Sequence, residues 1–165
     1  MKPKEPRSKR PAKPPRDPYE TEAATWQAYV EKKHGISLQR HPAQIELRNL
    51  VCTQAEIELI KYEMVQQEGF RAEHPIAVYR GILGKDYIID GHTRARVALD
   101  NGDTSIAAVV LTSHDAAVDL ELDDTSRRVG DGRERSLRRI PIRDRFGKGT
   151  PAWKRRREEL LKKGY

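Results

Sequence analysis

The chain has 165 residues, enough for one domain with a modest core. With 36% hydrophobic and 35% charged residues, part of it belongs outside any core, and no apolar run approaches the roughly 20 residues that span a bilayer. A single cysteine, Cys52, excludes an internal disulfide, which makes the cytoplasm the default compartment.

Charge is divided sharply along the sequence. Residues 1–18 carry seven Lys/Arg against Glu5 and Asp17, together with six of the ten prolines. Residues 19–124 are acidic, with ten Lys/Arg against eighteen Asp/Glu, and residues 125–165 carry fifteen Lys/Arg against five acids. The pattern predicts a folded domain over 19–124 between two basic arms. The Pro-rich arm 1–18 buries too little to offset chain entropy, and 125–165 reads as a basic extension ending in a helix. Such arms neutralise phosphates on nucleic acid or meet an acidic partner, or they serve only as solubilising tails.

In chain order, Thr21 to about Lys33 reads as a helix with Ala23, Trp26 and Val30 on one stripe and Gly35 as its stop. Ile36–Leu38 and Ile45–Leu47 alternate as two short strands separated by His41-Pro42. A second helix is expected from Thr53, capped by Thr53 and Glu56, with Ile57, Ile60 and Met64 inward and Gly69 at its end. Val78–Arg80 and Asp86–Ile89 flank a glycine-bearing loop and read as a hairpin. A helix then runs to about Asp100, and Ser105–Leu111 suits a buried strand. His114–Leu122 reads as one more short helix. Asp119, Glu121, Asp123 and Asp124 read there as a solvated acidic turn, without the spacing of a calcium loop. Arg127–Gly149 gives no regular element, and Pro151 opens a basic final helix with Trp153, Leu160 and Leu161 apolar. The fold class expected is α/β or α+β, a small mixed sheet with packed helices.

The chemistry concentrates in Ile88-Ile89-Asp90-Gly91-His92-Thr93-Arg94. A β-branched run stops at Asp-Gly and a helix follows at once. The first free N–H groups of that helix and its positive dipole end favour an anion, most simply a phosphate. Ala95, Ala98 and Leu99 fix the buried face, which leaves Arg94 at the mouth of the turn, while Arg96 either joins the phosphate or reaches solvent. The plain alternative is a capped strand–turn–helix without a ligand.

Residues 74–111 resemble the core of the ParB/sulfiredoxin-like superfamily: a Pro-Ile strand at 75–76, the strand ending Asp90-Gly91, the helix with Arg94 and Ala98, and Asn101-Gly102. Sulfiredoxins carry a catalytic Cys after the motif glycine, where this chain has His92. Partition ParB proteins hold the triphosphate of CTP on Gly-Glu-Arg-Arg; Gly91, Arg94 and Arg96 fit that pattern, whereas His92 and Thr93 do not. The spelling Asp-Gly-His-Thr-Arg is most similar to ParB-like free-serine kinases. The resemblance implies that Gly91, His92, Thr93, Arg94 and Arg96 bind ATP, ADP or CTP. Asp90, which stands beside the expected phosphate, is the candidate for Mg²⁺.

A kinase needs a base for the acceptor hydroxyl. In the serine-kinase relatives a glutamate after a proline serves. Here Pro42-Ala43-Gln44-Ile45-Glu46 offers Glu46, with Asp90 and His92 the other catalytic candidates and serine the model acceptor. The competing expectation is a non-enzymatic, nucleic-acid-associated ParB-like protein of a partition, phage or ribonucleoprotein assembly, gripping the phosphate backbone through 1–18 and 125–165.

Overall fold

The computed structural model describes residues 18–163, so all of the predicted N-terminal arm but Pro18 lies outside the described residues. Helix α1 (Pro18–His34) buries Ala23 and Val30 and stops at Gly35, whose φ of +64° ends the helical path. Strand β1 (Gln39–Glu46) follows as one element where two short strands were expected. It runs straight through His41-Pro42 because β1 is the edge of the sheet, where a proline withdraws no ladder hydrogen bond.

Leu47–Asn49 make a single 3₁₀ turn into β2 (Leu50–Val51); β3 (Ile57–Glu58) then leads into α2 (Leu59–Glu68), which Gly69 ends at φ +67°. The expected Thr53–Glu56 cap is absent, and the helix starts six residues later. Both side chains have distant partners instead: the Thr53 hydroxyl donates to the Ile88 carbonyl, and Glu56 pairs with Arg145 at 2.8 Å. β4 (Ile76–Arg80) and β5 (Asp86–Asp90) form the predicted hairpin, and α3 (His92–Asp100) and β6 (Ser105–Thr112) follow.

The main sheet is mixed, in the order β1-β6-β4-β5-β2, with β6 antiparallel to β1 and parallel to β4. α3 packs on one face through Ala95, over Ile76, Val78 and Ile88. On the other face α1 and α4 (Ala116–Val129) bury Val30, Val118 and Leu122 against Tyr79, Tyr87 and Leu111. Asp119 and Asp123 stand on α4, so the predicted acidic turn is a helix.

Residues after 124 do not trail away as a basic extension. They finish α4, make a 3₁₀ turn at Leu137–Arg139, and pair β7 (Ile142–Arg143) in parallel with β3. They end in α5 (Pro151–Lys162), with Pro151 in the first turn as expected and the Thr150 hydroxyl accepting the Trp153 N–H. Leu137 and Ile140 are each 1% exposed in the main core, and Leu160 packs on Ile60 and Met64. Burial of side chains of this size contributes about 1.5–3 kcal/mol each. The ion pairs nearby are partly exposed and screened by solvent, so the apolar plugs hold the segment and the charges set its register.

Candidate functional site

β5 delivers the chain to Gly91, which caps α3 with φ +102° and ψ 25°. A Cβ there would clash with Ile76 Cγ2 and lie 2.8 Å from Arg94 Nη2, so only glycine fits between the sheet and the helix. As a glycine, the N-cap has no side chain to cap the helix, and the first helical bond is Ala95 N–H to the Gly91 carbonyl at 3.0 Å. The N–H groups of His92, Thr93 and Arg94 therefore precede the helical ladder. They border a cavity of ≈ 80 Å³ whose lining includes Thr93, Lys61 and Arg71, with Leu160 of α5 as one wall. That is room for a few waters or one tetrahedral anion, well below the 300–1,000 Å³ of pockets that enclose a whole small ligand.

The other motif side chains are placed differently from expectation. Arg94 is not at the mouth of the turn: it is 6% exposed and bends back to the Pro75 carbonyl at 3.3 Å and the Asp90 carboxylate at 3.4 Å. Its guanidinium fastens the turn to β4 while still lining the cavity. His92 is also buried, and its Nε2 accepts the Thr53 N–H at 3.0 Å, which places the ring proton on Nδ1. Burial, only partly countered by Asp90, pushes its pKa down to about 4, so His92 is neutral at pH 7. It joins α3 to the 52–54 loop and supplies no charge to a phosphate.

Arg96 points away from the turn. Its Nη1 donates to the carbonyls of Leu137 and Ile140 at 3.2 and 2.7 Å, and its Nε to Asp100 at 3.1 Å. The sequence pattern of α3 alone could not reveal this, because the partners lie more than forty positions on.

Glu46 is not brought to the site. It ends β1 opposite Ser105 and binds Arg48 and Asn49, each at 3.1 Å. With Arg48, Leu99, Asp103 and Arg138 it lines a separate hollow of ≈ 620 Å³ at the C-terminal end of α3. A nine-residue helix, about 13 Å long, separates it from the turn.

A carboxylate that the motif did not foretell stands there instead. Glu22 of α1 shares a hydrogen bond with Asp90; burial first, then that bond and the Asp90 charge, push its pKa up to about 7 against the pull of Arg71 and Arg94. Burial alone would push Asp90 up too, but the bond from Glu22 and the Arg94 guanidinium outweigh it and hold Asp90 below the usual range. Lys61 and Arg71 were likewise missed, since nothing in their local sequence links them to 90–94. Cys52, read as a small apolar residue, is fully buried, and burial pushes its thiol up to about 12. Among the described residues no cluster of three His, Cys, Asp or Glu is arranged to hold a metal, and no helix is long and apolar enough to cross a membrane.

No protein-family model matches the chain, and no curated protein matches it. Among solved structures it is similar to protein Atu1540 from Agrobacterium tumefaciens, with TM-score 0.45 and 19% identity over 64% of each chain. It is also similar to a Pnob8-like ParB-N domain, with TM-score 0.31 and 14% identity over 58% of this chain and 38% of that one. The chain thus spans less than two thirds of either structure.

Proposed function

We propose that this is a ParB-like module that holds the phosphate end of a nucleotide at the N-terminus of α3. The observation that carries the reading is the uncapped start of α3 opening into a small cavity with Thr93 and the cations Lys61, Arg71 and Arg94 on its lining. Backbone donors, the helix dipole and three cations converge on a space sized for one phosphate. The nucleoside then lies outside the cavity, and Mg²⁺ travelling with the phosphates finds a protein carboxylate in Asp90. The nucleic-acid reading draws on the cations of residues 125–165. Six of these, Arg127, Arg135, Arg145, Lys148, Arg156 and Arg157, pair with carboxylates of the chain itself, which weakens it.

The test is Thr93→Glu. A carboxylate in the first turn suits the helix dipole, so the fold persists, but it repels an anion from the same N–H groups. Calorimetry with ATP, ADP and CTP, with and without Mg²⁺, should show binding to the wild type and at least a tenfold loss in the variant. Equal affinity in the two proteins, or none in the wild type, overturns the reading.

Phosphoryl transfer is a second reading, favoured by Glu22 rather than Glu46. A carboxyl group pushed up to about 7 and hydrogen-bonded to Asp90 of the cavity lining suits a general base. Glu22 would take the proton of an acceptor hydroxyl such as that of serine, the oxygen would attack the terminal phosphorus, and the shortened nucleotide would leave. Glu22→Gln should then abolish transfer from labelled nucleotide without loss of nucleotide affinity.

A further inference from the structure

Of the five large hydrophobic side chains that stand exposed among the described residues, three meet at one place. Ile82 and Leu83, 52% and 87% exposed, form the tip of the β4–β5 hairpin, and Leu120, 70% exposed, lies beside them on α4. With Tyr87 and Ala116 they line a hollow of ≈ 380 Å³. The charges on its rim are matched within the chain, Lys85 with Glu134 and Arg127 with Asp123 at 3.0 Å. The hollow therefore takes an apolar occupant. A single exposed leucine needs no explanation, but three apolar side chains gathered around a hollow mark an interaction surface.

The hairpin tip is held in place. Gly81 accepts the Gly84 N–H and donates to the Lys85 carbonyl, both at 2.9 Å. The Asp119 carboxylate of α4 accepts the Ile82 N–H at 2.8 Å and the Tyr79 hydroxyl at 3.0 Å. A Cβ on Gly81 would lie 2.7 Å from that carboxylate, so hairpin and helix are locked together. Leu83 is thus a fixed knob beside a fixed hollow. A knob and a hollow side by side on one surface suit a twofold contact between identical chains, since each copy then fills the other.

The charges on α4 favour the same partner. The helix turns Val118, Leu122 and Ser126 inward and leaves Ala116, Leu120, Asp124 and Arg127 exposed along its outer face. Asp115 and Asp119 stand at its start, Arg127 and Arg128 at its end. Two copies of α4 laid antiparallel set each basic end against the other's acidic start, with the helix dipoles opposed. Among the described residues neither Asp124 nor Arg128 has an ion pair of its own, and Arg128 donates to the Thr125 hydroxyl at 3.5 Å. Residues 1–17 contain no Leu, Ile, Val or aromatic side chain, so they do not supply the occupant.

We propose that this face joins two copies of the chain about a twofold axis, with the α4 helices antiparallel, Leu120 against its own counterpart and each Leu83 seated in the other's hollow. The surface lies across the sheet from α3, and the five residues of β5, about 17 Å, separate the hairpin tip from the Asp90–Gly91 turn. Copies joined here leave both α3 turns open. Association therefore needs no nucleotide, and the inference stands independently of the phosphate reading.

Sedimentation velocity on the full chain, from about 1 to about 100 μM at low ionic strength, reads the mass directly. The wild type should pass from monomer to dimer across that range, and Leu83→Glu and Leu120→Glu should each weaken association roughly tenfold or more. Both side chains are exposed in the single chain, so unchanged circular dichroism and melting temperature at the dilute end separate lost association from lost fold. A cross-link reads the geometry. Leu120→Cys, oxidised with diamide, should give a disulfide-linked dimer, whereas the exposed control Leu161→Cys on α5 should not. Cys52 is fully buried and stays silent in both. A dimer that both glutamate variants leave intact, or equal cross-linking of the two cysteine variants, overturns the proposal. A wild type that stays monomeric at the highest concentration overturns it too, and leaves the hollow to a small apolar ligand or an unlike chain.

Discussion

The turn at 90–94 and the segment after 124 both use arginine contacts, yet they are held in opposite ways. At the turn a few short contacts determine everything: Gly91 lies against Ile76, Arg94 reaches back to Pro75, and buried neutral His92 accepts from Thr53. The C-terminal segment depends on partners eighty to a hundred positions away, with Arg145, Lys148, Arg156 and Arg157 set against Glu56, Glu63, Glu58 and Glu68. One region is geometry that a single methyl group destroys. The other is a charged seam over three apolar plugs, Leu137, Ile140 and Leu160, and it yields by degrees.

Gly91→Ala should have the largest effect. The added methyl meets Ile76 and Arg94 at a backbone angle that alanine avoids, and strain with overpacking should cost about 3 kcal/mol or more. Chemical denaturation measures it; a loss under 1 kcal/mol would mean the turn relaxes freely.

His92 tests the turn through pH. Its pKa falls from 6.5 to about 4 on folding, so below pH 6.5 the unfolded chain binds a proton that the folded chain refuses. Stability from this residue is complete above 6.5 and is lost as pH falls towards 4, levelling at about 3 kcal/mol. Glu22 titrates in the other sense, since its folded pKa is raised and its contribution fades as pH rises through about 7. The difference between wild type and His92→Gln isolates the histidine, and parallel stability curves from pH 7 to 4 would contradict the account.

Arg96 sits on the motif helix but serves the seam. Arg96→Gln should lower stability by about 2 kcal/mol through the Leu137 and Ile140 carbonyls, with nucleotide affinity unchanged. A loss of affinity on a par with Thr93→Glu would return Arg96 to the phosphate.

Salt should give the smallest and most selective effect. Raising ionic strength from 0.1 to 1 M shortens the screening length from about 10 to about 3 Å. Amide exchange in α5 should quicken about tenfold while α3 changes less than twofold, because surface pairs contribute a few tenths of a kcal/mol each. Equal acceleration of both helices would mean that the seam is not electrostatic.

What could be read in the sequence follows the same division. The hairpin, Gly91 and both ends of α3 are written between Ile76 and Asp100, in glycine positions and β-branched runs, and the mixed α/β class follows from them. The Thr53–Glu56 cap failed because both side chains have tertiary partners that override the local signal. Charge runs were visible, but their complementarity was not: an acidic middle and a basic tail look like a domain with an arm until Glu58 and Arg156 are seen paired. Glu22 and Lys61 join the site from α1 and α2, and no spacing announces them.

The central claim is that phosphate binds the N–H groups at the start of α3. Titration of the ¹⁵N-labelled full chain with ATP, followed by amide chemical shifts, tests it without any substitution. The account predicts saturable shifts largest at the amides of His92, Thr93 and Arg94, the three that precede the first helical bond. Shifts absent there, or confined to the hollow around Glu46, would contradict it.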